Sequence, residues 1–204
     1  MENSKLPFAD HFSKLRENPK WLVKLIAFLI ISFFVSWLRF TAIDQTKLLK
    51  KNDAGQQAID AYNQFRWPMI IGGAIGNFIL LILIAFLIFL VISKIMKSDV
   101  SALSIFCASL SYNIIVYTFV LIVFAIQAIA GIDLGEYNIA SLNIFDKGNG
   151  FLEAINLQYF LSAYVIGLYY YFTAKLSKKS AVIWAIVALI VLIAIGMMNA
   201  GNGM

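Results

Sequence analysis

Two residue types decide at once what chemistry this chain can host. Its 204 residues include one cysteine, Cys107, and one histidine, His11. A lone thiol makes neither an internal disulfide nor a Cys-x-x-Cys metal or redox pair. Cys107 lies in the apolar run Ile105-Phe106-Cys107-Ala108, where it reads as a small buried hydrophobe. His11 lies in a polar N-terminal tail, and no second histidine sits in the apolar segments for a zinc site, a Ser-His dyad or a haem ligand. The motifs Gly-x-Ser-x-Gly, His-Glu-x-x-His, the P-loop and Gly-x-Gly-Asp do not occur. Gly131-Ile-Asp-Leu-Gly135 sets an aspartate between glycines, but with no second buried aspartate it reads as an exterior turn. No catalytic residue, metal ligand or cofactor-binding residue is expected, no cofactor is implied, and the chain is read as a non-enzyme.

The remaining candidates bind rather than react. One group is a set of amides inside apolar runs: Asn77, Asn113, Gln127, Asn156 and Gln158, with Ser109, Ser111 and Ser162 nearby in sequence. Polar residues inside a membrane are functional candidates, yet amides also simply join helices. The second group is cationic: Lys94 and Lys97 in one short turn, Lys175, Lys178 and Lys179 in another. Such clusters can contact phosphate headgroups or an acidic partner. The simpler alternative is that short cytoplasmic turns are basic because orientation requires it.

These residues must be positioned by membrane helices. The composition is 61% hydrophobic and 13% charged, about half the charge of an ordinary soluble domain. Runs 67–93, 100–132, 154–174 and 180–204 contain no Asp, Glu, Lys or Arg, and 25–38 is free of charge between Lys24 and Arg39. A spanning helix needs about 20 mostly apolar residues. The class is therefore all-α integral membrane protein, with five transmembrane helices expected at about 21–43, 68–93, 102–130, 151–174 and 180–199. Helices 2–3 and 4–5 would form two hairpins, each closed by a basic turn, in one membrane domain over 21–204.

Residues 1–20 form a basic tail in which Phe8, Phe12 and Leu15 recur at helical spacing. That fits a short interfacial helix ending near Pro19; the simpler reading is a lead-in to the first span. The bulky Trp37-Leu38-Arg39-Phe40 offers no signal-peptidase site, so the first span is expected to stay uncleaved. Trp67-Pro68 would open the second span, with proline in its first turn, and Gly72-Gly73 and Gly76 would allow close helix approach. Tyr169, Tyr170 and Tyr171 read as an inner aromatic belt. Glu153 lies near the outer end of span four, where Arg39 is a candidate partner by depth. Lysine and arginine number nine in the N-terminal tail and the two short turns, against five in the other loops. The positive-inside rule then puts the N-terminus in the cytoplasm and the C-terminus outside. The turns also look alike: Lys94-Ile95-Met96-Lys97 and Lys175-Leu176-Ser177-Lys178 suggest a weak parallel repeat.

Over about 100–195 the chain resembles a known family. Ser104-Ile-Phe-Cys-Ala-Ser-Leu-Ser-Tyr112, then a long apolar helix, is similar to the start of the third span in the Yip family of Ypt/Rab-interacting proteins. So is Glu153-Ala-Ile-Asn-Leu-Gln-Tyr159-Phe-Leu-Ser-Ala-Tyr164-Val-Ile-Gly167-Leu, followed by the Ser/Lys-rich turn from Ala174 to Ala181. Asn156 stands where the family has an acidic residue, and Asn113-Ile114 stands where it has a proline. The resemblance implies five spans with the N-terminus in the cytoplasm and a bacterial-type member in the plasma (inner) membrane. Eukaryotic members act with small GTPases through a longer cytosolic segment, which the 20-residue tail is not expected to replace. The function expected is non-enzymatic binding of other membrane proteins or of anionic lipid headgroups, with no nucleic acid. The alternative is a small transporter or lipid-handling protein whose amides line a polar cavity between the hairpins.

Overall fold

The computed structural model describes residues 5–42, 55–132, 134, 138–146 and 149–201. Asp44, Lys47, Lys50, Lys51, Asp53, Asp133, Gly135, Glu136 and Lys147, which fall between the expected spans, lie outside the described residues. Among the described residues the regular structure is helical, with a single isolated bridge and no strand. A short helix α1 (Ala9–Glu17) precedes α2 (Leu22–Ala42), α3 (Gln56–Ile95) and α4 (Ala102–Ile129). After a one-turn 3-10 segment at Leu142–Ile144 come α5 (Gly150–Ala154), α6 (Leu157–Leu168), a π turn at Tyr169–Thr173 and α7 (Lys178–Gly201). Four helices, α2, α3, α4 and α7, are long and apolar enough to cross a bilayer. Their outward faces are rich in exposed Ile, Leu, Val and Phe, while small and polar side chains sit between helices. That inversion is what a hydrocarbon solvent selects.

The expected fourth span, 151–174, is not one helix. Asn156 adopts extended geometry and caps α6, its side-chain oxygen accepting from the Gln158 N–H at 2.8 Å. Leu157 N–H donates to Ala140 O at 2.8 Å and Leu142 N–H to Ile155 O at 3.1 Å, so the preceding loop takes the bonds that would have continued the helix. The α-helical part of α6 is 12 residues, or about 18 Å, well short of a hydrocarbon core of about 30 Å. Charge-free length overestimated it because composition does not reveal a break in the ladder.

Pro68 is the second correction. It does not open a helix; α3 starts at Gln56 and carries Pro68 inside its 40 residues. At about 60 Å this helix is twice the bilayer core, so its polar start, Gln56 to Arg66, extends beyond the apolar zone.

The two short turns meet at one end of the bundle, called here the α1 end. Lys97 and Lys175 both adopt left-handed backbone, with φ of 54° and 57°. The helices that follow are capped alike. Ser101 accepts from Ser104 N–H at 3.1 Å with the two hydroxyls 2.9 Å apart, and Ser177 and Ser180 repeat both distances. The likeness of the turns is therefore a likeness of caps, Ser-x-x-Ser, as much as of lysines. Between them Ser98 Oγ donates to Ala174 O at 2.6 Å, and Ser93 Oγ lies 2.7 Å from Tyr169 Oη. Phe89 stacks on Tyr169 with centroids 4.1 Å apart. Tyr169 and Tyr170 are thus wholly buried in the main core, and of the expected aromatic belt only Tyr171 is exposed.

At the opposite, far end, α7 approaches α5 through Gly196. A Cβ there would lie 3.0 Å from the Tyr159 ring and 3.2 Å from Ala154 Cα. Of the glycines flagged in span two, only Gly73 faces α2, near Ser36 and Phe40; Gly72 and Gly76 face open space. Gly196→Ala should therefore destabilise the purified protein by about 1–3 kcal/mol through overpacking, whereas Gly72→Ala should be neutral or slightly stabilising in a helix. Thermal unfolding in detergent compares the two, and equal effects would contradict this packing.

Candidate functional site

The tail forms a helix of its own, α1, packed against the bundle. Pro19 lies just past Asn18, the residue that caps α1, and the apolar stripe is Ala9, Phe12 and Leu15, all buried, with Phe8 left half-exposed at the start. That stripe packs on protein: Phe12 and Leu15 belong to the same core as Phe89, Tyr169 and Tyr170. Helical spacing alone could not distinguish a lipid surface from a protein surface as its target.

Polar contacts fix the docked helix along its length. Tyr164 Oη donates to Pro7 O at 2.8 Å, and Thr173 Oγ1 donates to Phe12 O at 2.7 Å. His11 Nε2 lies 2.9 Å from Ser111 Oγ on α4, whose hydroxyl also donates to Cys107 O. Arg16 joins the two turns, donating to Thr173 O at 3.2 Å and to Asp99 Oδ1 at 2.6 Å. The Arg16 guanidinium holds the Asp99 carboxyl below the usual carboxylate range. Asp99 is solvent-exposed, so that pair positions the turns more than it stabilises them. These contacts come from the segment read above as a basic tail, whose sequence carries no local sign of partners 83 to 157 residues away.

Around this docked helix the five candidate lysines, Lys94, Lys97, Lys175, Lys178 and Lys179, are all exposed. A groove of about 1230 Å³ runs between α1, α6 and α7. Lys14, Lys175 and Lys178 rim it together with Asp10 and Glu17, and Gly167, Ala181 and Ala185 form its apolar floor. Gly167 makes the floor shallow, since a Cβ there would meet Ala185 at 3.3 Å.

The candidate amides do not converge. Asn113 donates to Leu81 O at 3.3 Å and to Ser109 O at 2.9 Å, joining α4 to α3. Gln127 Oε1 accepts from Ile139 N–H in the far-end loop, and Asn156 caps α6. Only Asn77 and Gln158 share a space, a second cavity near the far end. The suggested pairing of Arg39 with Glu153 does not form; among the described residues the ion pair present is Arg16–Asp99. Cys107 is buried, as its surroundings implied. Among the described residues no three His, Cys, Asp or Glu side chains gather as metal ligands do.

Docking shifts one titratable group of the helix. Burial, and then the charges of Lys24 and Lys14, hold the His11 imidazole below its ordinary value of 6.5. The undocked helix then binds a proton more readily than the docked one, so acidification favours undocking. Docking is full above about pH 6.5 and weakens as pH falls below it. Spin labels at Ser13 and Lys178, on opposite walls of the groove, should give one distance at pH 7.5 and a second, longer one at pH 5. His11→Gln should remove the difference; identical distributions in the unsubstituted helix at both pH values would refute the coupling.

A family model of the Yip1 domain matches residues 7–198. No curated protein and no solved structure matches the chain.

Proposed function

Because the chain belongs to the Yip1-domain family, we propose that it is a non-enzymatic membrane adaptor whose α1 end holds anionic phospholipid headgroups and so presents its helices to other membrane proteins. The observation that carries this reading is the docked α1. By tying Asp99 in one turn and Thr173 in the other to Arg16, it fixes two lysine-bearing turns as one surface. Preset cations lose less entropy on meeting a phosphate than mobile ones do. Each lysine near an anionic leaflet contributes about 1 kcal/mol, so five held together make a substantial preference.

The topology that suits this reading has five crossings, with the α1 end in the cytoplasm of a bacterial-type cell at the plasma membrane. Connectivity supports it. Helix α4 finishes at the far end and α7 begins at the α1 end, so the interrupted stretch from Gly150 to Thr173 makes the return. The lysine excess around the α1 end agrees in sign with the positive-inside rule. The amides Asn113, Gln127 and Asn156, satisfied by backbone groups, suit a scaffold better than a transport path.

Two measurements test this. Cysteines placed at Ser4 and at Asn202 should be labelled from opposite sides of sealed vesicles; labelling from one side would overturn five crossings. Replacing Lys94, Lys97, Lys175, Lys178 and Lys179 by Gln should reduce tryptophan energy transfer to a pyrene-labelled phosphatidylglycerol in mixed vesicles. Transfer to labelled phosphatidylcholine should not change. An undiminished anionic preference would reject the headgroup role.

A further inference from the structure

The second cavity, of about 490 Å³, lies between α2, α3, α4 and the start of α6. That volume is within the range of ligand sites, roughly 300–1,000 Å³. Helix α2 contributes Ser32, Ser36 and Arg39, spaced so that all three fall on one face. Asn77 faces them from α3, Tyr117 from α4 and Gln158 from the first turn of α6. Val120 and Phe124 continue the wall with apolar surface.

Three properties separate this cavity from ordinary packing space. First, Ser32 is 2% exposed and its hydroxyl has no hydrogen-bond partner. Helical hydroxyls commonly donate back to a carbonyl one turn earlier, and in this chain Thr41, Ser109 and Ser111 all do so. Ser32 instead lines the cavity with its bonding capacity unused. Second, Arg39, exposed in the last turn of α2, makes no ion pair with any described residue, so its guanidinium is free to meet an anion at the cavity. Third, the lining contains no carboxylate. Of its three hydroxyls Ser36 already donates to Ile70 O at 3.0 Å; the Arg39 guanidinium, the Ser32 and Tyr117 hydroxyls and the two amides can donate, which is the complement of an oxyanion.

We propose that this cavity binds the oxyanion headgroup of an acyl amphiphile, with Arg39 as the paired cation and Ser32 as a donor at the inner end. Asn77, Tyr117 and Gln158 supply further donors around the head, and the Val120–Phe124 wall accepts the start of the chain. Carboxylate of a fatty acid and phosphodiester of a phospholipid offer the same head chemistry, and they are distinguished below. The site is separate from the lysine turns at the opposite end, so it stands or falls independently of the headgroup role proposed for them.

The test uses the full chain in nanodiscs of phosphatidylcholine, titrated with spin-labelled fatty acid and, separately, with spin-labelled phosphatidylglycerol. Saturable immobilisation of either is expected, and whichever binds more tightly identifies the source. Arg39→Gln should weaken it by about tenfold to a hundredfold, the range of a lost charged hydrogen bond. Ser32→Ala should weaken it by several-fold without lowering thermal stability, because no protein partner is lost. The five-lysine Gln variant should bind unchanged. A methyl ester binding as tightly as the free acid would overturn the oxyanion assignment. So would acetate competing as strongly as the acyl ligand, or Arg39→Gln leaving affinity intact. Absence of saturable immobilisation with both ligands would overturn the site itself.

Discussion

The π turn at Tyr169–Thr173 is the constraint on which the α1 end depends. A π turn interrupts the regular helical ladder, and such interruptions are tolerated in a membrane protein only where other groups satisfy the backbone. Here Ala174 N–H bonds to Tyr169 O and Leu176 N–H to Tyr170 O, while Thr173 O is left for Arg16. The Thr173 hydroxyl turns inward to Phe12 O. Leaving a buried polar group unmet costs about 1–3 kcal/mol, so helix α1 belongs to the bundle rather than decorating it. The same turn directs Tyr169 at Ser93 and stacks its ring on Phe89, bringing the two hairpins together.

That dependence explains which parts of the fold could be read from residues alone. Membrane class and the approximate positions of α2, α3, α4 and α7 follow from charge-free runs, because exclusion of charge from hydrocarbon acts on each residue separately. The break at Ile155–Asn156 does not follow from such runs. It depends on which partner receives a hydrogen bond, and Ala140 and Leu142 reach this strand-like stretch from the preceding loop, outside the charge-free run. A local signal was nevertheless present, since Asn followed by an apolar helix is a capping pattern. The extension of α3 through Pro68 was hidden for a related reason: proline favours a first turn, but a long helix can carry it in its interior at a cost that neighbouring groups offset.

The candidate sites divide along the same line. The lysine turns were visible because clusters of like charge beside apolar runs are visible in any sequence. The amides were visible as residues and misleading as a set, because Asn113, Gln127 and Asn156 each serve the nearest backbone group. His11 and Arg16 were overlooked as sites for the opposite reason. Their partners, Ser111, Asp99 and Thr173, lie 83 to 157 residues away in sequence. A polar residue in a tail carries no mark of a long-range partner.

The two ends of the bundle consequently differ in kind. At the α1 end most polar groups meet one another, the Tyr170 hydroxyl excepted, and most of what else remains free is charge directed outward. Around the far-end cavity the buried Ser32 hydroxyl stays unmatched, and the exposed Arg39 pairs with no described carboxylate. Folding selects against unmatched buried polar groups unless something outside the chain completes them. The Ser32 hydroxyl could have been satisfied within its own helix, as Ser111 is, at no cost to the surrounding contacts. Its orientation into the cavity is the kind of local departure that marks binding rather than folding. A membrane supplies amphiphiles at high local concentration on every side of such a cavity, so even a modest intrinsic affinity keeps it loaded. The adaptor reading and the far-end site are then compatible, since the proposed headgroup contacts and the proposed acyl site lie at opposite ends of the bundle.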